Sequence, residues 1–176
     1  MTTTRTASPT GRRCRVSSAS DPASDLVIRP ATHTDAEAVF RLLRDFATTY
    51  RPERARYDAV TFPEVLRAAA GHRAEFLVAE QGTRVVGYAY AARMSTLFAG
   101  GTVLELLELA VDAPLRGHGT GSRLVREIQD RARRAGDTEV TVPTRRAAGF
   151  YRRLDFTGTA TFLKWPVPGG RGTPGE

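Results

Sequence analysis

The stretch Leu104–Val125, LELLELAVDAPLRGHGTGSRLV, decides how this chain is read. An apolar run from Leu104 to Val111 enters a turn rich in glycine, Arg116-Gly117-His118-Gly119-Thr120-Gly121, and an amphipathic run follows. Strand, glycine turn and helix in that order bring bare backbone N–H groups and a helix N-terminus to one place, which is how a backbone holds phosphate. These residues predict a ligand bearing a pyrophosphate and leave open which one.

Working outward, Leu124, Val125, Ile128, Ala132 and Ala135 form one helical stripe, with Gly136 placed to end the helix. Glu139–Val142 reads as a short strand closed by Pro143, so Leu104–Val142 is a crossover of the parallel kind. Upstream, Glu75–Glu80, Arg84–Ser95 and Thr102–Val111 are strands separated by the turns Gln81-Gly82-Thr83 and Ala99-Gly100-Gly101, a pattern of antiparallel hairpins. Leu26–Arg29 is an opening strand ended by Pro30. Thr34 is the expected N-cap of a helix over Asp35–Thr49, whose apolar stripe is Ala36, Val39, Phe40, Leu43, Phe46 and Ala47. Tyr50–Thr61 reads as a long loop, and Pro63 opens a second helix to Ala70. Ala147–Leu154 reads as a short helix and Thr157–Trp165 as a last strand. The expected fold class is mixed α/β (α+β) in the order β-α-α-β-β-β-α-β-α-β, a mostly antiparallel sheet with helices on both faces.

The 176 residues suit one domain, and 41% hydrophobic with 26% charged residues is ordinary globular composition. No apolar run reaches the roughly 18 residues that span a bilayer. The N-terminus lacks the apolar centre of a secretory signal, so a cytoplasmic location is expected. Residues 1–24, rich in Ser, Thr, Pro and Arg, are expected to form a disordered arm, 25–166 the folded domain and 167–176 a loose tail. Cys14, the single cysteine, falls in the arm and excludes an intrachain disulfide. The net charge is +7, and Lys164 is the only lysine among the 26 Lys and Arg residues. Aromatic residues interleaved with the arginines, as base stacking needs, are missing, so nucleic acid is not the expected partner. His33, His72 and His118 have no metal-like spacing, and no metal is expected.

Three phosphate-binding patterns compete for the glycine turn. A Walker-type loop needs Gly-Lys-Ser/Thr, and no lysine is present. A dinucleotide fingerprint needs G-x-G-x-x-G, whereas Gly117, Gly119 and Gly121 are spaced two and two. Arg116-x-x-Gly119-x-Gly121, by contrast, resembles the Q/R-x-x-G-x-G/A signature of the GNAT family of N-acetyltransferases. Ile28-Arg29-Pro30-Ala31-Thr32 with Asp35-Ala36, Leu109-Ala110-Val111-Asp112, and Ala147–Phe156 (AAGFYRRLDF) resemble the family's opening strand and helix, its fourth strand and its late helix, in order. The similarity covers about Leu26–Trp165.

The resemblance implies acetyl-CoA as co-substrate and an amine on a small molecule, peptide or protein as acceptor. It assigns the pyrophosphate to the backbone of Arg116, Gly117, His118, Gly119, Thr120, Gly121 and Ser122. The pantetheine arm is assigned to Leu109, Ala110 and Val111, with Leu109 or Ala110 as the oxyanion donor. Thr144 stands where many members have asparagine and is assigned a hydrogen bond to the pantetheine arm, and Asp155 replaces a usual glycine in a turn that Asp tolerates. Tyr151 matches the tyrosine that reaches the coenzyme sulfur and is the candidate acid. Glu105 and Glu108 are candidate bases, with Glu108 preferred. Strand alternation places residues three apart on opposite faces, so only a bulge would let the two act together. Tyr50, Glu53, Arg56 and Tyr57, beside Arg54 and Phe62, are the candidate acceptor contacts. A homodimer is compatible with the reading. The competing class is a non-catalytic acyl-CoA-binding regulatory module.

Overall fold

The structure, a computed structural model, describes Met1 and residues 25–46, 50–165 and 167. The expected arm with Cys14, and most of the expected tail, lie outside the described residues. Five strands form one sheet in the order β1-β2-β3-β4-β5: β1 Leu26–Pro30, β2 Ala74–Gln81, β3 Arg84–Thr96, β4 Gly101–Val111 and β5 Glu139–Thr141. The first four are antiparallel neighbours, and β4 pairs with β5 in parallel, so the sheet is mixed and mostly antiparallel. The helices are α1 Ala36–Phe46, α2 Arg54–Arg56, α3 Phe62–Ala70, α4 Thr120–Ala135 and α5 Ala148–Arg152.

Each face of the sheet buries its own core. Leu77, Ala89, Ala91, Leu104 and Leu106 pack against Leu124, Val125, Ile128 and Ala132 of α4 and Tyr151 and Leu154 from the α5 region. On the other face Phe76, Val78, Tyr88 and Ala110 pack against Val39, Phe40 and Leu42 of α1 and against Tyr57 and Phe62. The helices therefore cover both faces, as the two apolar periodicities of the sequence require.

Three local expectations are corrected. The N-cap is Thr32 rather than Thr34, because a single 3-10 turn, His33–Asp35, precedes α1. The Asp35 carboxylate accepts the Thr32 amide at 2.7 Å and two guanidinium bonds from Arg29 at 2.8 Å, which fixes the entry of the chain. Tyr50–Thr61 is not a loop throughout: α2 begins at Arg54 and runs through a π turn, Tyr57–Thr61, into α3. Proline lacks an N–H and crowds the carbonyl four residues back, and the wider turn before Pro63, closed by Phe62 N–H to Tyr57 C=O, relieves that crowding. Thr157–Trp165 forms no strand, and Phe162, Leu163 and Trp165 stand exposed. With β5 only Glu139–Thr141 and Pro143 close behind it, too little sheet edge is available to pair with that stretch.

A buried ionic group ties the far end of α4 to the sheet. Arg93 on β3 is 10% exposed and contacts Glu75 on β2 at 2.8 Å and Asp137, whose side chain is 1% exposed, at 2.9 Å. Thr102 donates to the same Asp137 at 2.6 Å. Removing one partner leaves a buried charge uncompensated, so Arg93→Ala is expected to lose about 3–5 kcal/mol of stability. Urea unfolding followed by circular dichroism measures this; a loss under about 1 kcal/mol, the level of a surface pair, contradicts it.

Candidate active site

The glycine turn leaves β4 from an anchored end. Asp112, 4% exposed, donates its amide to Val86 O at 2.8 Å, and its carboxylate takes Arg84 at 2.7 Å and also Arg41. The chain then turns through Ala113–Leu115 and reaches α4 with Gly119 as N-cap in the left-handed region, φ +88°. Gly117 is left-handed too, at φ +82°, and a Cβ at either glycine would find no heavy atom within 4 Å. Both backbones thus face open space. Gly121 differs: its Cβ position sits 3.5 Å from Phe150, so there the small residue serves helix packing.

The amides from Gly117 to Ser122 have no hydrogen-bond acceptor among the described residues; the first intrahelical bond comes from Arg123 to Gly119 O. A run of unmatched donors at the N-terminus of the 16-residue α4 carries the positive end of the helix dipole. Its chemistry fits a diphosphate. Arg116 is turned back, its Nε donating to Val111 O at 3.0 Å, and His118 Nδ1 lies 3.0 Å from Arg116 O.

The edge of β4 is open beside this cradle. β5 pairs with Val103, Leu104 and Glu105 alone, so among the described residues Leu106–Val111 have β3 on one side and no strand on the other. Every second residue there turns its backbone groups away from β3 into a gap in which an extended ligand can hydrogen-bond like an added strand; Leu109 and Val111 are two of these, the Val111 carbonyl holding Arg116, while Ala110 faces β3.

Within that stretch the β3–β4 register slips: Tyr90 faces Glu108 and Ala91 faces Leu106, leaving Leu107 as a bulge, 42% exposed. The bulge reverses the alternation. Leu104 and Leu106 face the α4 core, and after it Leu109 and Val111 do so. Glu105 and Glu108 consequently share the opposite face, with Tyr88, Tyr90 and Ala110. The condition under which the two carboxylates can act together is met.

Glu108 accepts a 2.8 Å hydrogen bond from Tyr88 Oη. Burial raises the Glu108 pKa, and the Tyr88 bond opposes that rise. The Tyr88 phenol is itself pushed well up by burial and by Glu108, so it remains the donor. Tyr151 is 8% exposed between Phe150 and Phe156, with ring centroids 4.9 and 5.5 Å away. Its phenol makes no hydrogen bond among the described residues, and burial raises its pKa, so it stays protonated. Thr144 Oγ1 accepts the Ala147 amide at 3.1 Å and so shapes the entry to α5. Asp155 adopts φ +66°, the left-handed turn expected of it.

The remaining candidates scatter. Tyr57 belongs to the core: its hydroxyl donates to Ala36 O at 2.9 Å, and its ring packs on Phe40 and Phe62. Glu53 and Arg56 are exposed, and Tyr50 lies under the Lys164 ammonium, 4.4 Å from its ring centre. Sequence reasoning missed Tyr88, whose place in an apolar strand reads as packing alone. A cavity of about 560 Å³ at the β2–β3 turn is lined by Arg29, Asp35, Glu37, Arg41, Glu80 and Arg84, but these charges are all paired within the protein.

The five-stranded mixed sheet, the unmatched amides and the open β4 edge describe the fold and the site, and the comparisons supply the family. Residues 36–156 match the model of the Acetyltransferase (GNAT) family, and the chain belongs to that family. A Trypanosoma brucei acetyltransferase is similar in structure, at 19% identity over 81% of this chain and 100% of that one, TM-score 0.68. So is glucosamine-6-phosphate N-acetyltransferase from Arabidopsis thaliana, at 17% identity over 80% and 97%, TM-score 0.70. Ribosomal-protein-alanine N-acetyltransferase from Brucella melitensis biovar Abortus 2308 shares 19% over 81% and 97%, TM-score 0.61. No curated protein matched the sequence. Among the described residues no helix is long and apolar enough to cross a membrane, and no group of His, Cys, Asp and Glu is placed to hold a metal ion.

Proposed function

We propose that the protein transfers an acyl group, acetyl foremost, from acyl-CoA to a primary amine by direct attack. The observation that carries this is the continuity of the unmatched amides of Gly117–Ser122 with the open edge of β4, Leu106–Val111, which carries Glu108 beside the bulge at Leu107. When bound, the coenzyme supplies a thioester carbon activated toward a nucleophile. Glu108 takes the proton that the attacking nitrogen must lose, directly or through one water. The amide of Leu109 faces the gap and donates to the carbonyl oxygen as it gains charge, whereas that of Ala110, in step with the Asp112 amide that bonds Val86 O, faces β3. Tyr151 gives its proton to the sulfur as the C–S bond breaks and the C–N bond forms; solvent then takes the proton from Glu108 and returns one to Tyr151, which restores both groups. Family membership and the geometry of these residues support the reading.

The test is thiol release from acetyl-CoA by the purified chain with a panel of amines. Amine-dependent release is expected, with Tyr151→Phe slower by about 10²-fold or more in kcat. Tight coenzyme binding with no release across the panel overturns the enzymatic reading in favour of a binding module.

A further inference from the structure

We infer that Glu105 and Thr141 form a subsite for a second cationic group on the acceptor, which selects diamines and polyamines over simple monoamines. The inference rests on the acyl-transfer reading above. It begins with how this arginine-rich chain treats its carboxylates. Those that are not exposed, namely Asp35, Glu75, Glu80, Asp112, Glu127 and Asp137, each sit on at least one arginine. Glu105 and Glu108 are half-buried and have none among the described residues. Glu108 has the Tyr88 hydroxyl, while Glu105 has no hydrogen-bond or ionic partner among the described residues. Withholding an arginine from two adjoining carboxylates, in a chain of net charge +7, leaves a place for cations from outside.

An independent observation comes from the neighbouring strand. Thr141 on β5 is the register partner of Glu105, and neighbours in a parallel pair present their side chains on the same face. Val140 and Val142 pack into the α4 core, which turns Thr141 to the Glu105 side. The Thr141 hydroxyl oxygen is fully buried and has no hydrogen-bond partner among the described residues. A buried hydroxyl is ordinarily satisfied, so an orphan beside an unpaired carboxylate marks donors still to be provided. An alkylammonium group carries three N–H donors and satisfies both oxygens at once.

The location suits an acceptor. Glu105 and Thr141 form the last pair of the β4–β5 ladder, at the closed end of the gap, and Glu108 lies three residues further along β4 on the same face. Three residues of strand span roughly 10 Å, less what the bulge takes up. With both carboxylates reaching inward, two nitrogens separated by three to five carbons bridge them. One nitrogen then stands at the base, and the other is held by Glu105 and Thr141.

Competition between matched acceptors tests this. The kcat/KM for 1,4-diaminobutane is compared with those for butylamine and 4-aminobutanol in the native protein, Glu105→Gln and Thr141→Val. The diamine is expected to exceed butylamine by at least tenfold in the native protein, mainly through KM. Glu105→Gln should bring that ratio within about threefold of unity, and Thr141→Val should lower it part of the way. Calorimetric uptake of coenzyme at the native level verifies that each variant is folded. If Glu105→Gln fails to fold, the native ratio and Thr141→Val decide. A native ratio near one, or one that neither variant changes, overturns the inference. Should no amine be acetylated, the acyl-transfer reading fails by itself; calorimetry of 1,4-diaminobutane against the coenzyme-loaded protein, native and Glu105→Gln, then reads the subsite directly, and the absence of Glu105-dependent uptake overturns it.

Discussion

Glu108→Gln is expected to lower kcat by about 10²–10⁴-fold, the range a positioned general base contributes. The substitution keeps the size of the side chain and its ability to accept from Tyr88 Oη, so folding and coenzyme uptake should persist. The pH profile carries the sharper signature. Glu108 works only when it has lost its proton, and burial holds its pKa above the ordinary carboxylate range. The acid limb of kcat/KM should therefore lie above that range in the native protein, and activity should fall as the pH drops through it. Tyr88 lowers the Glu108 pKa by donating to the charged form, so Tyr88→Phe should move the acid limb to higher pH, with activity recovered on the alkaline side. The other groups facing Glu108 are Tyr90 from β3, Tyr57 from the π turn and Glu105 from its own strand; burial and Glu108 itself raise the phenols of Tyr90 and Tyr57, so both stay neutral through this range. A purely structural Tyr88 would depress activity equally at every pH. Full activity in Glu108→Gln would remove it from the base role.

Much of this arrangement is legible in the residues, and the exceptions have physical causes. Gly82 and Gly100 mark the hairpins because each adopts a positive φ, +62° and +61°, that other residues avoid. The stripe from Leu124 to Ala132 marks α4 because a surface helix must bury one side. The bulge at Leu107 leaves a fainter trace: the inward apolar positions run 104 and 106, then 109 and 111, and the doublet Leu106-Leu107 is where that parity switches. Reading that switch would have placed Glu105 and Glu108 on one face from sequence alone. The π turn is hidden because Arg54, Arg56 and Asp58 make the segment look solvated, although Tyr57 and Phe62 bury their rings in the core. Thr157–Trp165 shows the converse failure. Its composition is that of a strand, yet a strand exists only against a partner, and β5 offers little edge. The orphan hydroxyl of Thr141 depends on tertiary neighbours and has no sequence signal at all.

The second large effect concerns the cradle. Gly119→Val is expected to weaken acetyl-CoA binding by at least about 30-fold, roughly 2 kcal/mol at about 1.4 kcal/mol per tenfold. Two costs must be separated. Any L side chain at φ +88° strains the backbone by about 1–2 kcal/mol, which lowers stability whether or not a ligand binds. The second cost is steric: a Cβ at Gly119 has no heavy atom of the described residues within 4 Å, so a side chain there projects into the space a diphosphate must enter to reach the amides of Gly117–Ser122. Gly136 supplies the control. It is also left-handed, at φ +76°, and also open around its Cβ, but it closes the far end of α4. Gly136→Val should show a similar fall in thermal stability with native coenzyme affinity by calorimetry. Loss of affinity in both variants would trace the effect to helix α4 as a whole; loss in neither would mean that the diphosphate is held elsewhere. Loss at Gly119 alone leaves approach to the bare amides as the cause, because strain from a positive φ is present at both sites, +88° and +76°.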